Sequence, residues 1–350
     1  IPVMRRFFER CRMTDIEQRK RDHIEIVLSG SARHSASAGF DGIAFEHNAL
    51  PELSFNDIDL STRFLGKTLK LPYLASSMTG GPADSDRINL AIAEAAEQCG
   101  FAMGVGSQRI ALAGGKSYGL DRRLRDHAPT IPIYANLGAV QLVNGMGIDH
   151  ARRAVEEIGA DALILHLNPI QEVLQKDGDH DWRGVTKAIA DLVAKFSAPV
   201  IVKEVGFGIS VDVARRLLEC GVAAIDVAGA GGTSWAAVEG RRASDQPTHD
   251  LGELFRDWGI PTVESLASLR GRFPDLPLIA SGGVRHGLDA AKAIRLGADL
   301  VGQAAALLAP AMQGTEAVIA HVEFFARALR LACFATGSKD LRALRKAALR

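Results

Sequence analysis

Eight short apolar runs alternate with amphipathic segments between residues 71 and 304, and several of the amphipathic segments end at glycine. This alternation predicts an α/β protein with the architecture of a TIM (β/α)8 barrel, an N-terminal extension and C-terminal helices. A doubly wound open sheet could share the alternation. Eight units over about 240 residues favour the barrel, because they match its usual size.

Each predicted strand is a near-continuous apolar run, which is typical of parallel strands that are buried on both faces. The predicted strands are Leu71–Met78, Ala102–Ser107, Ile131–Leu137, Ala162–Asn168, Pro199–Val205, Ala223–Ala228, Leu276–Ser281 and Leu300–Ala304. The carboxyl ends of such strands meet at one end of a barrel, where ligands bind. Polar residues at these ends are therefore candidates for function.

The segments between the strands repeat apolar residues at helical spacing. Clear helical patterns cover Arg87–Gln98, Asp149–Ile158, Gly184–Lys195, Val211–Cys220 and Leu288–Leu296, and the glycines that end such segments are Gly100, Gly159, Gly221 and Gly297. Glycine in this position is typical of helix C-caps. The interval Gly229–Thr262 is rich in glycine, charge and tryptophan, and it predicts a long functional loop after the sixth strand. Residues Glu316–Arg350 predict a closing helical region.

Composition excludes several classes of protein. The chain has 350 residues, 47% of them hydrophobic, and its 41 basic residues balance 41 acidic ones, so no global field attracts nucleic acid or an anionic membrane. Its four cysteines are scattered, and no apolar run is long enough to span a membrane. We therefore expect a cytoplasmic protein with reduced thiols that binds a small molecule. Residues 1–12 lack the pattern of a secretory signal and are predicted to be a leader or expression-derived segment.

The most informative run is Leu165–Glu172, where a buried strand ends at Pro169 in a cluster of polar side chains. Asn168, Gln171 and Glu172 lie beside this end, together with His166 from the strand itself. A lone strand histidine is about as often a satisfied core residue as a ligand. The cluster indicates a place where amide and carboxylate groups converge on one ligand.

Glycine-rich turns indicate a phosphate site nearby. Ser281–Arg285 follows the seventh strand, Gly302–Ala304 ends the eighth, and Gly231–Ser234 follows the sixth. The loops after strands seven and eight form the common phosphate site of this fold, where backbone amides meet the anion. The alternative is that these glycines only make tight turns.

A flat heterocycle fits the remaining strand ends. Lys203 ends the fifth strand, where it could contact a flavin or, alternatively, form a salt bridge with Glu204 or Asp226. Met78–Gly81 and Asn136 supply amides and carbonyls after the first and third strands. A phosphate-anchored flavin, FMN, satisfies the whole set, whereas a dinucleotide is disfavoured because no full G-x-G-x-x-G turn follows a strand.

An ordered set of motifs resembles the type 2 isopentenyl-diphosphate isomerases from about residue 14 to residue 340. The motifs are Arg19–His23, Ser77–Gly81, Gly104–Arg109, Asn136–Gly138, His166–Glu172, Lys203–Gly206, Gly231–Trp235, Trp258–Thr262 and Ser281–Arg285. The resemblance implies that FMN, Mg²⁺ and NADPH as reductant support the interconversion of isopentenyl and dimethylallyl diphosphate without net redox change. It also implies a homotetramer or homo-octamer. The domain organisation is then a substrate-binding extension over 13–70 and an FMN-binding barrel with C-terminal helices over 71–350.

The resemblance also implies a role for each matching residue. Gln171 would act near the alkene as the catalytic residue, and Glu172 would bind Mg²⁺. The other substrate-binding positions are Arg19, Lys20, His23, Ser107, Gln108, Arg109, His166 and Asn168. The flavin-binding positions are Ser77, Met78, Thr79, Gly80, Ser107, Asn136, Lys203, Thr233, Gly282, Gly283, Arg285, Gln303 and Ala304. Two places depart from the family pattern: Ala228 stands where many relatives have a serine, and the turn Gln303–Ala305 has no arginine. Neither change removes a backbone donor.

The isomerisation requires protonation of an alkene, which is a very weak base. The site must therefore supply a strong acid and apolar walls that exclude water. Trp235 is a predicted wall of that site.

An alternative function is that of an FMN-dependent 2-hydroxy-acid oxidase or dehydrogenase. Such an enzyme needs a His base and paired arginines near strands six and seven, and that region has no His-Gly-x-Arg run. A non-catalytic flavin-binding protein would not need Gln171, Glu172, Ser107 and Arg109 together.

Overall fold

The computed structural model describes residues 18–77 and 85–350. Helix α1 covers residues 18–29 and is followed by an antiparallel hairpin of β1 (Thr62–Phe64) and β2 (Lys67–Leu69). The barrel strands are β3 (Tyr73–Ala75), β4 (Ala102–Gly104), β5 (Ile133–Gly138), β6 (Ala162–Leu167), β7 (Val200–Glu204), β8 (Ala224–Asp226), β9 (Leu278–Ala280) and β10 (Leu300–Gln303).

These eight strands form a closed barrel in the order β10, β3, β4, β5, β6, β7, β8, β9, and all neighbours that close it are parallel. The predicted fold class is confirmed, and each predicted strand overlaps an observed one, with β5 ending at Gly138, one residue beyond its predicted end. The observed strands are shorter, because parallel pairing stops where the chain turns into the loops at either end. Met78, the last residue of the first predicted strand, lies outside the described residues.

Helices surround the barrel in the predicted alternation. They are α2 (Ser85–Cys99), α3 (Arg109–Leu112), α4 (Arg123–His127), α5 (Ile148–Ile158), α6 (Pro169–Leu174), α7 (Val185–Val193), α8 (Val211–Glu219), α9 (Trp235–Arg242), α10 (Gln246–Leu254), α11 (Thr262–Arg272), α12 (Gly287–Arg295), α13 (Ala305–Gln313), α14 (Thr315–Ala335) and α15 (Leu341–Leu344). Gly159 caps α5 with a left-handed φ of 61°, as its sequence position predicts. The closing helical region is confirmed by α14 and α15.

The prediction of a long loop over Gly229–Thr262 is wrong, because this interval contains α9 and α10. Ser234 and Asp245 cap the two helices, each accepting a hydrogen bond from a backbone N–H three residues on. The glycines serve packing between the helices: a Cβ on Gly252 would lie 2.6 Å from the Cα of Gly240. Glycine content thus marks a close helix contact here and not a loop.

The two ends of the barrel differ. Phe64 and Leu69 of the β1–β2 hairpin are buried in one cluster with strand residues such as Leu74, Tyr134 and Ile201, so the hairpin plugs the amino-terminal end. At the carboxyl end, residues 32–38 form a strap across the loop after β8. The strap is held by hydrogen bonds from His34 N to Gly232 O at 2.9 Å and from Ser234 N to Ala32 O at 2.8 Å.

Two predictions about the whole chain can be compared with the described residues. Cys99, Cys220 and Cys333 are free thiols, as expected, while Cys11 lies outside the described residues. Within 18–77 and 85–350, no helix is both long and apolar enough to cross a membrane. The predicted leader over residues 1–12 also lies outside the described residues.

Candidate active site

A buried carboxylate, Glu239, joins three elements at the carboxyl end of the barrel. It lies on α9 and binds His23 Nε2 of α1 at 2.9 Å, Gln171 Nε2 of α6 at 3.0 Å and Arg242 Nη1 at 2.6 Å. Burial alone would raise the pKa of Glu239, but the hydrogen bonds and charges of these partners lower it to about 2. The group is therefore an ionised carboxylate in a nearly dry site.

The strand end that the sequence singled out is a compact hydrogen-bonded turn. Pro169 begins α6, as the predicted strand stop requires, and Asn168 Nδ2 donates to Gln171 Oε1 at 3.1 Å and to Glu172 Oε1 at 2.9 Å. Asn168 Oδ1 is buried without a hydrogen-bond partner among the described residues. Gln171 and Glu172 therefore both lie within reach of the Asn168 amide.

Asp179, in the loop after α6, connects Arg109 with Glu172. Its carboxylate accepts hydrogen bonds from Arg109 at 3.2 Å, Gln141 at 2.6 Å and Asn144 at 2.8 Å, and its backbone N–H donates to Glu172 Oε2 at 2.8 Å. The guanidinium of Arg109 is half exposed, so it has donors free for an anion. One loop residue thus positions two predicted ligand-binding side chains.

Helix α1 adds two cations to this cluster. Burial lowers the pKa of Arg19, with Glu239 and Glu172 opposing the effect and Arg109 adding to it. Burial and the charge of Arg19 lower the pKa of Lys20 to about 8. Lys20 Nζ also lies 5.3 Å from the centre of the Tyr118 ring. Cations that are crowded and desolvated in this way gain most from a multiply charged anion.

A second hydrogen-bonded chain lines the barrel beneath that cluster. Asn136 Nδ2 donates to Ser77 Oγ at 2.7 Å, and Asn136 Oδ1 lies 2.8 Å from His166 Nδ1. Burial, followed by the charges of Lys203 and Arg109, lowers the pKa of His166 to about 3. His166 is therefore neutral, and because its Nδ1–H donates to the amide oxygen of Asn136, its Nε2 remains as a hydrogen-bond acceptor.

Lys203 is buried at the end of β7, where its Nζ donates to the carbonyl oxygen of Glu204 at 2.6 Å. The Glu204 carboxylate binds the backbone N–H groups of residues 205–207 instead of Lys203. Burial raises the pKa of Asp226, the neighbour of Lys203 across β7 and β8, and the lysine charge opposes this. The ammonium group retains donors that can reach a ligand in the barrel mouth.

Several other predicted residues are occupied by protein partners. The Gln108 amide is fully buried and binds Ala154 O and Asn136 N, and the Gln303 amide binds Tyr73, Val284 and His321. Arg285 pairs with Asp41 at 3.0 Å and Asp289 at 3.3 Å. The structure does not direct these three side chains toward the Glu239 cluster.

The predicted phosphate turns lie close to the strap. A Cβ on Gly282 would lie 2.1 Å from Gly229 O, and one on Gly283 would lie 2.6 Å from Ala38 Cβ, so packing alone requires glycine there. Ser107 and Thr233 are half-buried at the carboxyl end, and Ala304 immediately precedes α13. Met78, Thr79 and Gly80 lie outside the described residues.

Comparisons with known proteins agree with this geometry. The profile of the family described as "FMN-dependent dehydrogenase" matches residues 120–350. A Xanthobacter autotrophicus protein named isopentenyl-diphosphate delta-isomerase is 59% identical over 333 residues, which cover 95% of this chain and 97% of that protein. The protein of that name from Stutzerimonas stutzeri is 57% identical over 332 residues, covering 95% and 96%. This chain belongs to the isopentenyl-diphosphate delta-isomerase family. The family resemblance predicted from the motifs is confirmed.

More distant proteins of known structure share the barrel fold of this chain. Mandelate oxidase matches with a TM-score of 0.67 at 18% identity over 96% of this chain and 97% of that chain. A putative lactate oxidase from Pediococcus acidilactici matches with a TM-score of 0.64 at 17% identity, covering 96% and 93%. At these identities the likeness shows the fold alone.

The sequence analysis did not identify three residues of the candidate active site: Asp179, Glu239 and Arg242. Glu239 and Arg242 lie in the interval that was predicted as a loop, and their i, i+3 spacing becomes informative only once a helix is recognised. Asp179 lies in a polar loop, where one more aspartate carries no signal. The run Trp235–Arg242, opened by the capping residue Ser234, was the available clue.

Proposed function

We propose that the cluster around Glu239 is the active site at which isopentenyl and dimethylallyl diphosphate are interconverted. Membership of the family makes the chain an isomerase of isoprenoid biosynthesis, as the sequence predicted. The observation that carries the site assignment is the convergence of α1, α6 and α9 on one ionised carboxylate beside crowded cations. A diphosphate substrate would neutralise those cations.

The diphosphate is proposed to bind Arg19, Lys20 and Arg109. A guanidinium binds phosphate oxygens through paired N–H donors, and an ammonium group acts as a point charge. The half-buried Ser107 adds an uncharged donor, and neutral His166 adds an uncharged polar contact. In this proposal the extension contributes to substrate binding through residues 18–38, because the hairpin at residues 62–69 lies at the opposite end of the barrel.

Mg²⁺ is proposed to bind Glu172 together with diphosphate oxygens and water. A single carboxylate with substrate phosphates is the usual arrangement for this ion. Both Glu172 oxygens already accept one hydrogen bond, from Asn168 and from the Asp179 backbone, and each keeps a lone pair for the metal. Those bonds hold the carboxylate in one orientation.

The residues at the barrel mouth fit FMN. Lys203 is a buried cation with free donors, Ser76 Oγ is buried without a partner among the described residues, and α13 begins just after the eighth strand. These are groups that a phosphate-bearing ring would satisfy. Reduced FMN, when bound, would supply an acid and an electron-rich face for a cationic transition state. We further propose that NADPH is the reductant and that the enzyme assembles as a homotetramer or homo-octamer.

Gln171 is proposed as the residue nearest the reacting carbons. Its amide is fixed at both ends, since Oε1 accepts from Asn168 and Nε2 donates to Glu239. Trp235, whose ring lies edge-on to His23 with 5.1 Å between the ring centroids, covers the cluster and keeps water from it. The proposed role of Glu239 is to hold Gln171 and the cations in place.

The test is a reaction with FMN-loaded protein reduced under anaerobic conditions. We expect isopentenyl diphosphate and Mg²⁺ to give dimethylallyl diphosphate, detected by proton NMR, and oxidised protein or added chelator to stop the reaction. The runner-up function, oxidation of a 2-hydroxy acid, is assayed in parallel by peroxide release from mandelate and lactate. Peroxide release without alkene isomerisation would overturn the proposal.

A further inference from the structure

The amino-terminal end of the barrel carries a concavity of about 690 Å³ that shares no residue with the Glu239 cluster. Its wall comes from the β1–β2 hairpin, the segments that precede β9 and β10, and the C-terminal region after α15. Four arginines line it, namely Arg63, Arg270, Arg295 and Arg345, with Asp275 and Asp299. Its apolar floor includes Phe64, Leu65 and Leu296.

Asp299 does not neutralise this group of arginines. Its carboxylate is shared between Arg270 at 3.0 Å and Arg345 at 2.8 Å, and it also accepts the backbone N–H of Leu278. One carboxylate therefore faces two guanidinium groups. Arg270 also donates two hydrogen bonds to Gly297 O and binds the carbonyl oxygens of Phe273 and Pro274, so its donors are used within the protein and it contributes charge to the concavity.

The other two arginines leave donors free. Arg295 uses Nε for Ala347 O, and its terminal nitrogens have no partner among the described residues. Arg63 is exposed on β1 and, within the same residues, forms no hydrogen bond or ion pair. Asp275 is exposed at the rim and binds neither of them. The lining thus combines excess positive charge, two free guanidinium groups and an apolar floor.

We propose that this concavity binds a phosphate-type polyanion, at the opposite end of the barrel from the active site. Guanidinium groups pair with phosphate oxygens bidentately, and Arg63 and Arg295 present uncommitted donors beside the positive charges of Arg270 and Arg345. The floor of Phe64, Leu65 and Leu296 admits a short hydrocarbon attached to the phosphate. The ligand class is therefore a phosphate or diphosphate, free or as an ester with a small apolar group.

The experiment counts bound inorganic diphosphate by calorimetry on the full-length protein. We expect the wild type to bind a second diphosphate per chain beyond the active-site one. Arg63→Glu should weaken this second site by at least about tenfold, since it removes a charge-assisted contact. Arg327→Glu, a matched reversal of an exposed arginine on α14 outside the concavity, should keep both sites.

Arg109→Ala, which is at the other end of the barrel, should weaken only the first site, so the two sites can be assigned separately. Arg63→Gln removes the charge without reversing it. It should also weaken the second site while its thermal unfolding stays that of the wild type, which excludes a folding defect as the cause. Tighter binding of 3-methylbutyl diphosphate than of diphosphate at the second site would identify an ester as the ligand, and equal affinity would identify the free anion. A wild type with no second site, or an Arg63→Glu variant that retains it, would overturn the proposal.

Discussion

Glu239 shows how a single buried charge can organise a site. The carboxylate stays ionised because three donors from α1, α6 and α9 offset its burial. Removing such a charge leaves buried donors unpaired, which costs more than the bonds contribute. Side chains near this group are therefore expected to act together, and the residue-scale predictions concern its neighbours.

The first prediction separates Glu172 from Gln171. Glu172→Gln keeps the shape of the side chain but removes the charge proposed to bind Mg²⁺, so the enzyme should need much more Mg²⁺ for half-maximal rate. Gln171→Leu should lower kcat and leave the Mg²⁺ requirement unchanged, because the proposed role of the amide is at the reacting carbons and not at the metal. Titration of the rate with Mg²⁺ checks both variants. Equal half-saturating concentrations for the two would contradict the assignment.

The second prediction concerns Arg109 and Asp179. Arg109→Ala should raise KM and have little effect on kcat, since the diphosphate is held in ground and transition states alike. The loss of one charge-assisted contact should weaken binding by about 1.5–3 kcal/mol of free energy. Asp179→Asn keeps the loop but weakens its hold on Arg109, so it should raise KM less than Arg109→Ala does. Steady-state kinetics over substrate concentration test the order. A larger KM effect in Asp179→Asn would contradict it.

The third prediction is a pH dependence that originates at Lys20. Its pKa is lowered by burial and by Arg19 to about 8, so the free protein loses this charge as pH rises through 8. KM for the diphosphate should be flat below that pH and rise above it. Lys20→Arg keeps its charge to much higher pH and should flatten the profile. Identical KM profiles for the two proteins would rule out Lys20 as the titrating group.

At the scale of elements, the α9–α10 helix pair is what the barrel adds to build the proposed active site. The two helices approach closely because glycines face each other: a Cβ on Gly252 would lie 2.6 Å from Ala236 O. This helix pair places Glu239 against α6 and α1. A displacement of α10 would therefore reach the active site through α9.

The fourth prediction uses two helical glycines as a matched pair. Gly252→Ala should destabilise the protein by about 1–3 kcal/mol, because the methyl group forces the helices apart, and should lower kcat by moving Glu239. Gly271→Ala in α11 meets nothing within 4 Å and should be neutral or stabilise by up to about 1 kcal/mol. Denaturant unfolding and kinetics of both variants check this. Similar effects of the two substitutions would show that the close contact is unimportant.

At the scale of the whole molecule, the barrel has two ends with different tasks. The carboxyl end gathers charged groups from α1, α6 and α9, while the amino-terminal end is closed by the apolar β1–β2 hairpin. In barrels of this kind chemistry is confined to the carboxyl end and the opposite end contributes stability. Stability and activity should therefore respond to different residues.

The fifth prediction tests that separation. Leu69→Ala in the hairpin should destabilise the fold by about 2–5 kcal/mol, because it opens a cavity under the barrel, yet leave kcat and KM unchanged below the unfolding range. Leu50→Ala, a residue that is 75% exposed, should change stability by less than about 0.5 kcal/mol. Urea unfolding monitored by circular dichroism gives both values. Loss of activity in folded Leu69→Ala would contradict the separation of the two ends.

The sequence by itself determined the barrel, its eight strands and the family, because these depend on local patterns. Apolar runs and helical spacing are written in consecutive residues, and the turn from His166 to Glu172 is short enough to place Gln171 and Glu172 together without knowledge of the fold. The glycines after α5 and α8 likewise report the local backbone conformation directly.

Only the tertiary structure decided which distant groups meet. Glu239 finds His23 across 216 residues, and Gln108, Gln303 and Arg285, each plausible as a ligand-binding residue, bind other parts of the protein instead. The sequence does not show which way a polar side chain points. Whether it faces a ligand or a backbone carbonyl depends on contacts between segments far apart in the chain. The glycines of α9 and α10 misled for the same reason, because their small size matters only where the two helices touch.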